Sequence, residues 1–540
     1  MLVLLVYWFI LFLFASLSGI AFQNIFGLSK TNTSFTLLFG IIFQTLFLSL
    51  CAFFFRINIE VFIVNCSIQL LFFFKYKSEF LSFFKNFFKS FSKKQIYLFI
   101  ALTIFVALKS VQLPSVFDNE SYYIQTIKWL NEYGFVKGVA NVHPFLGQFS
   151  FWHVLQSGFN AEFISVSYVP LQFNDINGFL LIIGIYYFIE KHNIFGFNWS
   201  FFGILFLVFY YQFIDAPSPD LPILIFSAIV FNEFIEETKD VKAIMILIVY
   251  MLFLKVTIAP ILLITIIYLL KNKNTTAFFV IISSLFGSIW IAKNSIITGY
   301  PFFPLSFLET NYDWKMSQFV LNKIAQITID AGYSENLINT KNLTLFEKVH
   351  LWINLDGINA LFNKGILLLF VLIPFSQFFK KNTNFKVLYF ILLTHFLILL
   401  SISPQYRFFL PTFILFSTII IYEISIYLKF SIKNSIVAVS LIFICVNLFI
   451  DVKNISNSNL FSFSQLLIPQ PITKYKNIYF ELKRIDNFKF YDPKLYNLHE
   501  TSNGNLPCVN EELFHFYNYI PQQRTNDIRD GFYAKEIKHE

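Results

Sequence analysis

The chain has 540 residues, of which 56% are hydrophobic and 13% charged, with a mean hydropathy of +0.63. Soluble domains carry about 25% charge, whereas apolar runs of roughly 17–25 residues, enough to cross a bilayer, recur along this chain. The composition therefore excludes an ordinary soluble enzyme and points to a polytopic α-helical membrane protein, since a spanning backbone must satisfy its own hydrogen bonds. The net charge of +8 is no nucleic-acid signal, because the basic residues fall mostly in short loops between apolar runs. Cys51, Cys66 and Cys445 lie in apolar runs and Cys508 is alone in the tail, so neither a disulfide framework nor a cysteine metal site follows.

The N-terminus is apolar from Met1 and lacks the basic region of a signal peptide, so the first run reads as a retained span. About fourteen spans (12–14) are expected. The first four lie near 2–22, 34–55, 57–74 and 96–113, and six more near 172–189, 198–214, 220–236, 241–255, 257–271 and 276–297. The last four lie near 358–379, 385–402, 408–428 and 434–451. The pairs 34–74 and 241–271 have very short connections, and either could be a re-entrant hairpin. The 76 phenylalanines suit lipid-facing helices.

Lys75, Lys77, Lys85, Lys89, Lys93 and Lys94 precede the fourth span. Lys271 and Lys273, then Lys380, Lys381 and Lys386, and finally Lys429 and Lys433 occupy later loops. With this count all of them fall on one side, which the positive-inside rule makes cytoplasmic. The other side receives the loops 114–171, 215–220 and 298–357, and the tail. Three regions follow: N-terminal spans with a basic loop (1–95), a membrane core (96–451) and an external, more polar tail (452–540) whose Asn/Ser stretch at 454–459 reads as a linker.

The first external loop holds the densest chemistry. Asp118-Asn119-Glu120 places two carboxylates at the mouth of a span. Ser121 to Tyr133 then carries Ile124, Ile127, Trp129 and Leu130 on one helical face. Such a helix would lie in the membrane interface, where Trp and Tyr are favoured. Asp118 or Ser121 could cap it, which would make the acidic pair a helix N-terminal turn. Next come Asn141 and His143 in a turn-rich segment, and a second interfacial helix expected from Phe149 to Phe163 with Trp152 and His153.

Asp215-Ala216-Pro217-Ser218-Pro219-Asp220 is either a rigid turn in which Asp220 caps the seventh span, or an acidic wall facing Asp118. Lys293, before Asn294, either snorkels to the interface or binds a lipid phosphate. Arg407 sits at the outer mouth of two spans, and its fork of donors suits phosphate.

The segments Asp118–Tyr123, Ile127–Gly134 and Gly138–His143, with Ser218–Pro222, Lys293–Pro304, Arg407-Phe408 and the tail words Leu506-Pro507-Cys508 and Asp530-Gly531-Phe532, resemble the GT-C superfamily of polytopic glycosyltransferases. Within it, the chain is similar to a poorly characterised group of bacterial multipass proteins. The resemblance covers most of the chain from about residue 96, and the order of the motifs is more specific than any one of them.

The resemblance implies a polyprenyl-phosphate sugar donor, transfer at the outer face of a bacterial cytoplasmic membrane, and inversion at the sugar. It makes Asp118 the general base, with Glu120 completing a D-x-E form that in some branches binds a divalent ion, Mg or Mn. Lys293 and Arg407 would hold phosphate. Family members often carry Arg where this chain has Lys293, which keeps the charge and loses the fork. Asp215, Asp220, Asn141, His143, Trp129, Trp152 and Asn294 complete the expected substrate contacts, and the acceptor would be a glycan, a lipid or a protein. Two rivals remain: a glycan polymerase or ligase using a lipid-linked oligosaccharide, and a transporter or lipid flippase. The latter would place ionisable residues such as Lys255 and Glu423 deep in the spans.

Overall fold

The architecture comes from a computed structural model, which describes residues 1–30, 32–87, 89, 91–160, 175–191, 203, 206–334, 339–427, 442, 463–467, 472–475, 477–495 and 497–537. Nearly all of the expected span 434–451, Cys445, the linker 454–459 and residues 198–202, 204 and 205 of the expected span 198–214 lie outside these residues. The chain opens with α1 (Leu2–Phe26), α2 (Thr33–Ala52), α3 (Ile59–Lys75), α4 (Lys77–Phe87) and α5 (Lys93–Ser110). After the first polar loop, with α6 (Ile124–Glu132) and α7 (Phe151–Gly158), come α8 (Asp175–Lys191) and α9 (Leu207–Tyr211). The core continues through α10 (Asp220–Ile235), α11 (Val241–Leu254), α12 (Leu262–Lys271) and α13 (Thr276–Thr298). A second polar loop carries α14 (Gln318–Tyr333) and α15 (Leu345–Ile353), and α16 (Gly357–Leu372), α17 (Gln377–Lys381), α18 (Thr383–Ile402) and α19 (Tyr406–Ile426) follow.

Among the described residues, six helical stretches are long and apolar enough to cross a membrane: Leu2–Phe26, Thr33–Ala52, Lys273–Thr298, Gly357–Phe375, Thr383–Ile402 and Tyr406–Ile426. This is the architecture of a helical membrane protein. Helix α3 also passes that test when taken with α4, but the two meet at an 89° bend. Helices α10, α11 and α12 are shorter. At 1.5 Å per residue, α11 spans about 21 Å against about 34 Å for α13. The short helix is enclosed, with Ala243 to Met251 all buried, while only 22% of the apolar stretch of α13 is. The shorter helices thus lie among longer ones.

Contacts at the helix ends sort the loops. At one end, Lys30 pairs with Glu79 at 2.9 Å, Glu190 takes the N–H groups of Thr33 and Ser34, Lys191 pairs with Glu233 at 2.8 Å and Lys271 faces Glu237 at 3.8 Å. The other end holds the polar loops: Phe135 donates to the Ala52 carbonyl, Ile57 to Leu130 and Gly138 to Ile296, each at 2.8 Å. The segments 34–74 and 241–271 therefore each run from the first end to the end with the polar loops and back.

Close packing of α1 on α2 depends on two glycines. A Cβ on Gly19 would lie 1.8 Å from the Thr36 carbonyl oxygen, and one on Gly40 1.8 Å from that of Ala15, the small-residue contact favoured between membrane helices. Ser18, Gln44, Asn65 and Gln69 then join α1, α2 and α3 through buried, uncharged hydrogen bonds.

One expectation is corrected: the helices of the first loop are enclosed by protein and do not present their apolar face to a membrane interface. Ile124, Ile127, Trp129 and Leu130 are at most 4% exposed, and every residue of α7 is buried, because the apolar face of α6 packs on α7 and on the tail. The described residues are mostly helical, as expected, and the few strands lie in the tail. The tail forms two antiparallel hairpins, β1 (Phe480–Ile485) with β2 (Phe488–Pro493) and β3 (Tyr519–Gln523) with β4 (Phe532–Glu536). In β2 the buried Phe488 and Phe490 alternate with exposed Lys489, the pattern of a half-buried strand.

Candidate functional site

The end of the bundle that carries the polar loops holds an alternating chain of charges. Arg407, in the first turn of α19, places Nη1 2.8 Å from Asp118 Oδ2 and 3.4 Å from Asp220 Oδ2. The other oxygen of Asp220 accepts from Lys255 Nζ, which also lies 4.2 Å from the centroid of the Phe408 ring. Gln405 accepts from Arg407 Nε at 2.8 Å. Tyr123 donates to Asp118 Oδ2 at 3.3 Å. Both fixed contacts of Asp118 thus fall on Oδ2, and its side chain is 17% exposed. Asp220 is 3% exposed, which a carboxylate tolerates because two cations touch it.

Neighbouring residues explain why these groups converge. The buried pair Lys109–Asp215, at 2.9 Å, ties the end of α5 to the turn before α10. Ser115 also donates to Asp215 at 3.3 Å. Asn177 on α8 clamps that turn through the carbonyls of Phe213, Ala216 and Ser218, and is itself held by Trp152 Nε1 at 2.6 Å. Asp118 and Asp220 therefore face one another from two anchored loops. Neither caps a helix with its side chain.

The other expected site residues do other work. Glu120 is 1% exposed and accepts from Thr473 Oγ1 at 2.7 Å and from the Lys474 N–H at 2.9 Å, both in the tail. Asp215 pairs with Lys109 and does not form a wall. Lys293 is buried under the rings of Phe149 and Phe151 and donates to the Phe149 carbonyl at 3.1 Å, so it neither snorkels nor joins the charge chain. Asn294 faces the carbonyls of Pro301 and Phe303. Asn141 donates to the carbonyls of Trp314 and Phe532, and His143 Nε2 meets the His499 carbonyl at 3.1 Å. Trp129 packs on Tyr133 and Phe532.

A divalent ion between Asp118 and Glu120 would need free carboxylate oxygens converging on one point. The oxygens of Glu120 are taken by Thr473, Lys474 and Asn119, while Asp118 turns to Arg407. The residues present do not fit a metal there. Lys255 is the member of the cluster that the spacing of motifs leaves out. Its signal is a charge ending the apolar run Val241–Leu254 just where a new run begins.

Beside the cluster an open apolar groove runs between α8, α9, α10 and α19. Its walls begin one turn beyond the charged residues, at Leu224 on α10 and Pro411 on α19, and reach Phe231 and Thr418, a length of about 10 Å along each helix. Pro411 lacks an N–H, which leaves the Arg407 carbonyl without its helical donor.

No curated protein and no solved structure matches the chain. Residues 1–415 match a family described as a domain of unknown function, DUF8201, a match that takes in Asp118, Asp220, Lys255 and Arg407. The chain belongs to the DUF8201 family.

Proposed function

We propose that the chain is a GT-C-type glycosyltransferase that moves a sugar from a polyprenyl phosphate to an acceptor at the outer face of a bacterial cytoplasmic membrane. The observation that carries this reading is the adjacency of an acid–cation cluster and an apolar groove. A lipid phosphate is an anion on a long apolar chain, and such a ligand needs both. About fourteen crossings are part of this reading, with the lysine-rich end facing the cytoplasm.

In this scheme the prenyl chain lies between α8, α10 and α19, and the phosphate meets Arg407 and Lys255. The acceptor hydroxyl approaches Asp118 Oδ1, the oxygen not engaged by Arg407 or Tyr123. The acceptor oxygen bonds to the anomeric carbon as the bond from that carbon to the phosphate oxygen breaks. Asp118 takes the hydroxyl proton, and polyprenyl phosphate leaves with its electron pair. Arg407 and Lys255 offset the growing negative charge, a task for which fixed donors in a dry site are well suited. Direct displacement inverts the sugar. General-base catalysis contributes about 10²–10⁴-fold, so Asp118→Asn should lose at least 100-fold of the activity while the protein stays folded.

The test follows release of polyprenyl phosphate from a panel of prenyl-phosphate sugars, with total membrane glycolipid as acceptor, by purified wild type and Asp118→Asn. Release by the wild type alone is expected. Equal release by both would remove Asp118 as the base. No release from any donor would move the case to a polymerase, ligase or transporter.

A further inference from the structure

The acid two residues beyond Asp118 is not a second reactive group, and its surroundings give it a different task. Glu120 is where the tail grips the first loop. Its carboxylate takes Thr473 Oγ1 and the Lys474 N–H, and its backbone carbonyl takes the N–H groups of Thr501 and Ser502 at 2.9 and 2.8 Å. Two consecutive N–H groups converging on one oxygen form a small cradle, with Ser502 in the left-handed region at φ 49°. Thr501 Oγ1 adds a bond to the Ser121 carbonyl at 2.9 Å, and Thr473 and Ser502 join their hydroxyls at 2.8 Å. Gln125, one turn on, donates to the carbonyls of Ser502 and Gly504.

The turn gripped in this way is not an ordinary helix. Asn119–Tyr123 is a π-helical turn, in which the Ile124 N–H bonds to the Asn119 carbonyl five residues back. Single π turns are rare and occur frequently at functional sites. Here tail donors pull on two successive carbonyls of that turn. The wider turn also sets Asp118 and Tyr123, five residues apart, side by side with a hydrogen bond between them.

We propose that the C-terminal tail, through Glu120, holds this π turn and thereby positions the carboxylate of Asp118. Glu120, Thr473, Thr501 and Ser502 are positioning residues. They touch no reacting atom but set the direction of one that does. This rests on Asp118 being the base, and it makes an intact tail a condition for turnover rather than for membrane insertion.

The experiment uses the full-length protein and two independent readouts. The first is hydrogen exchange of peptides covering 116–126 in wild type, Glu120→Ala, Glu120→Gln and Thr473→Val. Glu120→Ala should speed exchange there at least tenfold without changing the helices α10, α11 and α19. Glu120→Gln, which keeps one acceptor, should fall between. The second readout is kcat and KM for prenyl-phosphate release. Glu120→Ala should lower kcat at least tenfold with KM within about threefold, whereas a merely structural loss would lower the amount of active protein and leave the kcat of the folded fraction alone. Unchanged exchange at 116–126 in Glu120→Ala overturns the proposal whatever the enzyme does. Faster exchange in a protein that releases no prenyl phosphate from any donor retains the tail's grip on the turn and overturns its catalytic purpose.

Discussion

Lys255→Met tests whether the four charges act as a unit. Asp220 is 3% exposed and is held by Lys255 on one oxygen and by Arg407 on the other, the latter at 3.4 Å. Removing one partner of a buried ion pair costs about 3–5 kcal/mol when the remaining charge is left alone. Arg407 stays near Asp220, so a loss of about 3 kcal/mol, at the low end, is expected. For a chain of this length that corresponds to about 3 °C in Tm. Asp220 should then draw Arg407 from Asp118, and transfer should fall although Lys255 is not the base. In Asp220→Asn/Lys255→Met no buried charge is orphaned, so most of the stability should return while activity does not. The assay is thermal unfolding of the four-member mutant cycle in detergent, followed by tryptophan fluorescence. A Lys255→Met protein as stable as wild type, or a double mutant whose loss is the simple sum of the two single losses, would refute the coupling.

Two further outcomes are expected. Burial pushes His143 and His153 down to about 3 and His499 down to about 4; the neighbouring His499 adds to the first, Lys293 to the second and Lys323 to the third. All three stay neutral when folded, whereas the unfolded chain takes up protons below about pH 6.5. Their contribution is complete above that pH and is lost as pH falls toward 3–4, by about 2 kcal/mol per histidine at pH 5. Protease sensitivity of the tail at pH 7.5 and 5 measures this, and His499→Gln should flatten the dependence; a tail equally resistant at both values would contradict it. Ala228→Trp fills the groove, so KM should rise at least tenfold for a long-chain prenyl donor and stay unchanged for a short-chain one. An equal effect on both donors would separate the groove from the lipid.

What the sequence disclosed, and what it did not, follows from which interactions are local. Apolar runs marked the helices because burial in lipid is a property of each segment by itself. Asp118, Asp220 and Arg407 stood out as polar residues at the mouths of spans. Glu120 seemed a partner of Asp118 because it is two residues away, yet two steps along a helix turn the side chain by about 200°, so the pair must diverge. Lys255 looked like a stray charge in a span because its partner is 35 residues away in sequence. Asn141 and His143 were noticed as polar residues in a loop, and the structure gives them tail carbonyls as partners. Backbone carbonyls carry no sequence signal, so the docking of the tail was hidden, as was the π turn it holds.

The most direct measurement is a structure of the full chain in a lipid nanodisc with polyprenyl phosphate added. The account predicts the prenyl chain between α8, α10 and α19, with the phosphate within hydrogen-bond reach of Arg407 and Lys255 and with Asp118 Oδ1 facing the space where the sugar would sit. A phosphate bound elsewhere, or a groove that keeps ordinary membrane lipid while polyprenyl phosphate is in excess, would contradict it.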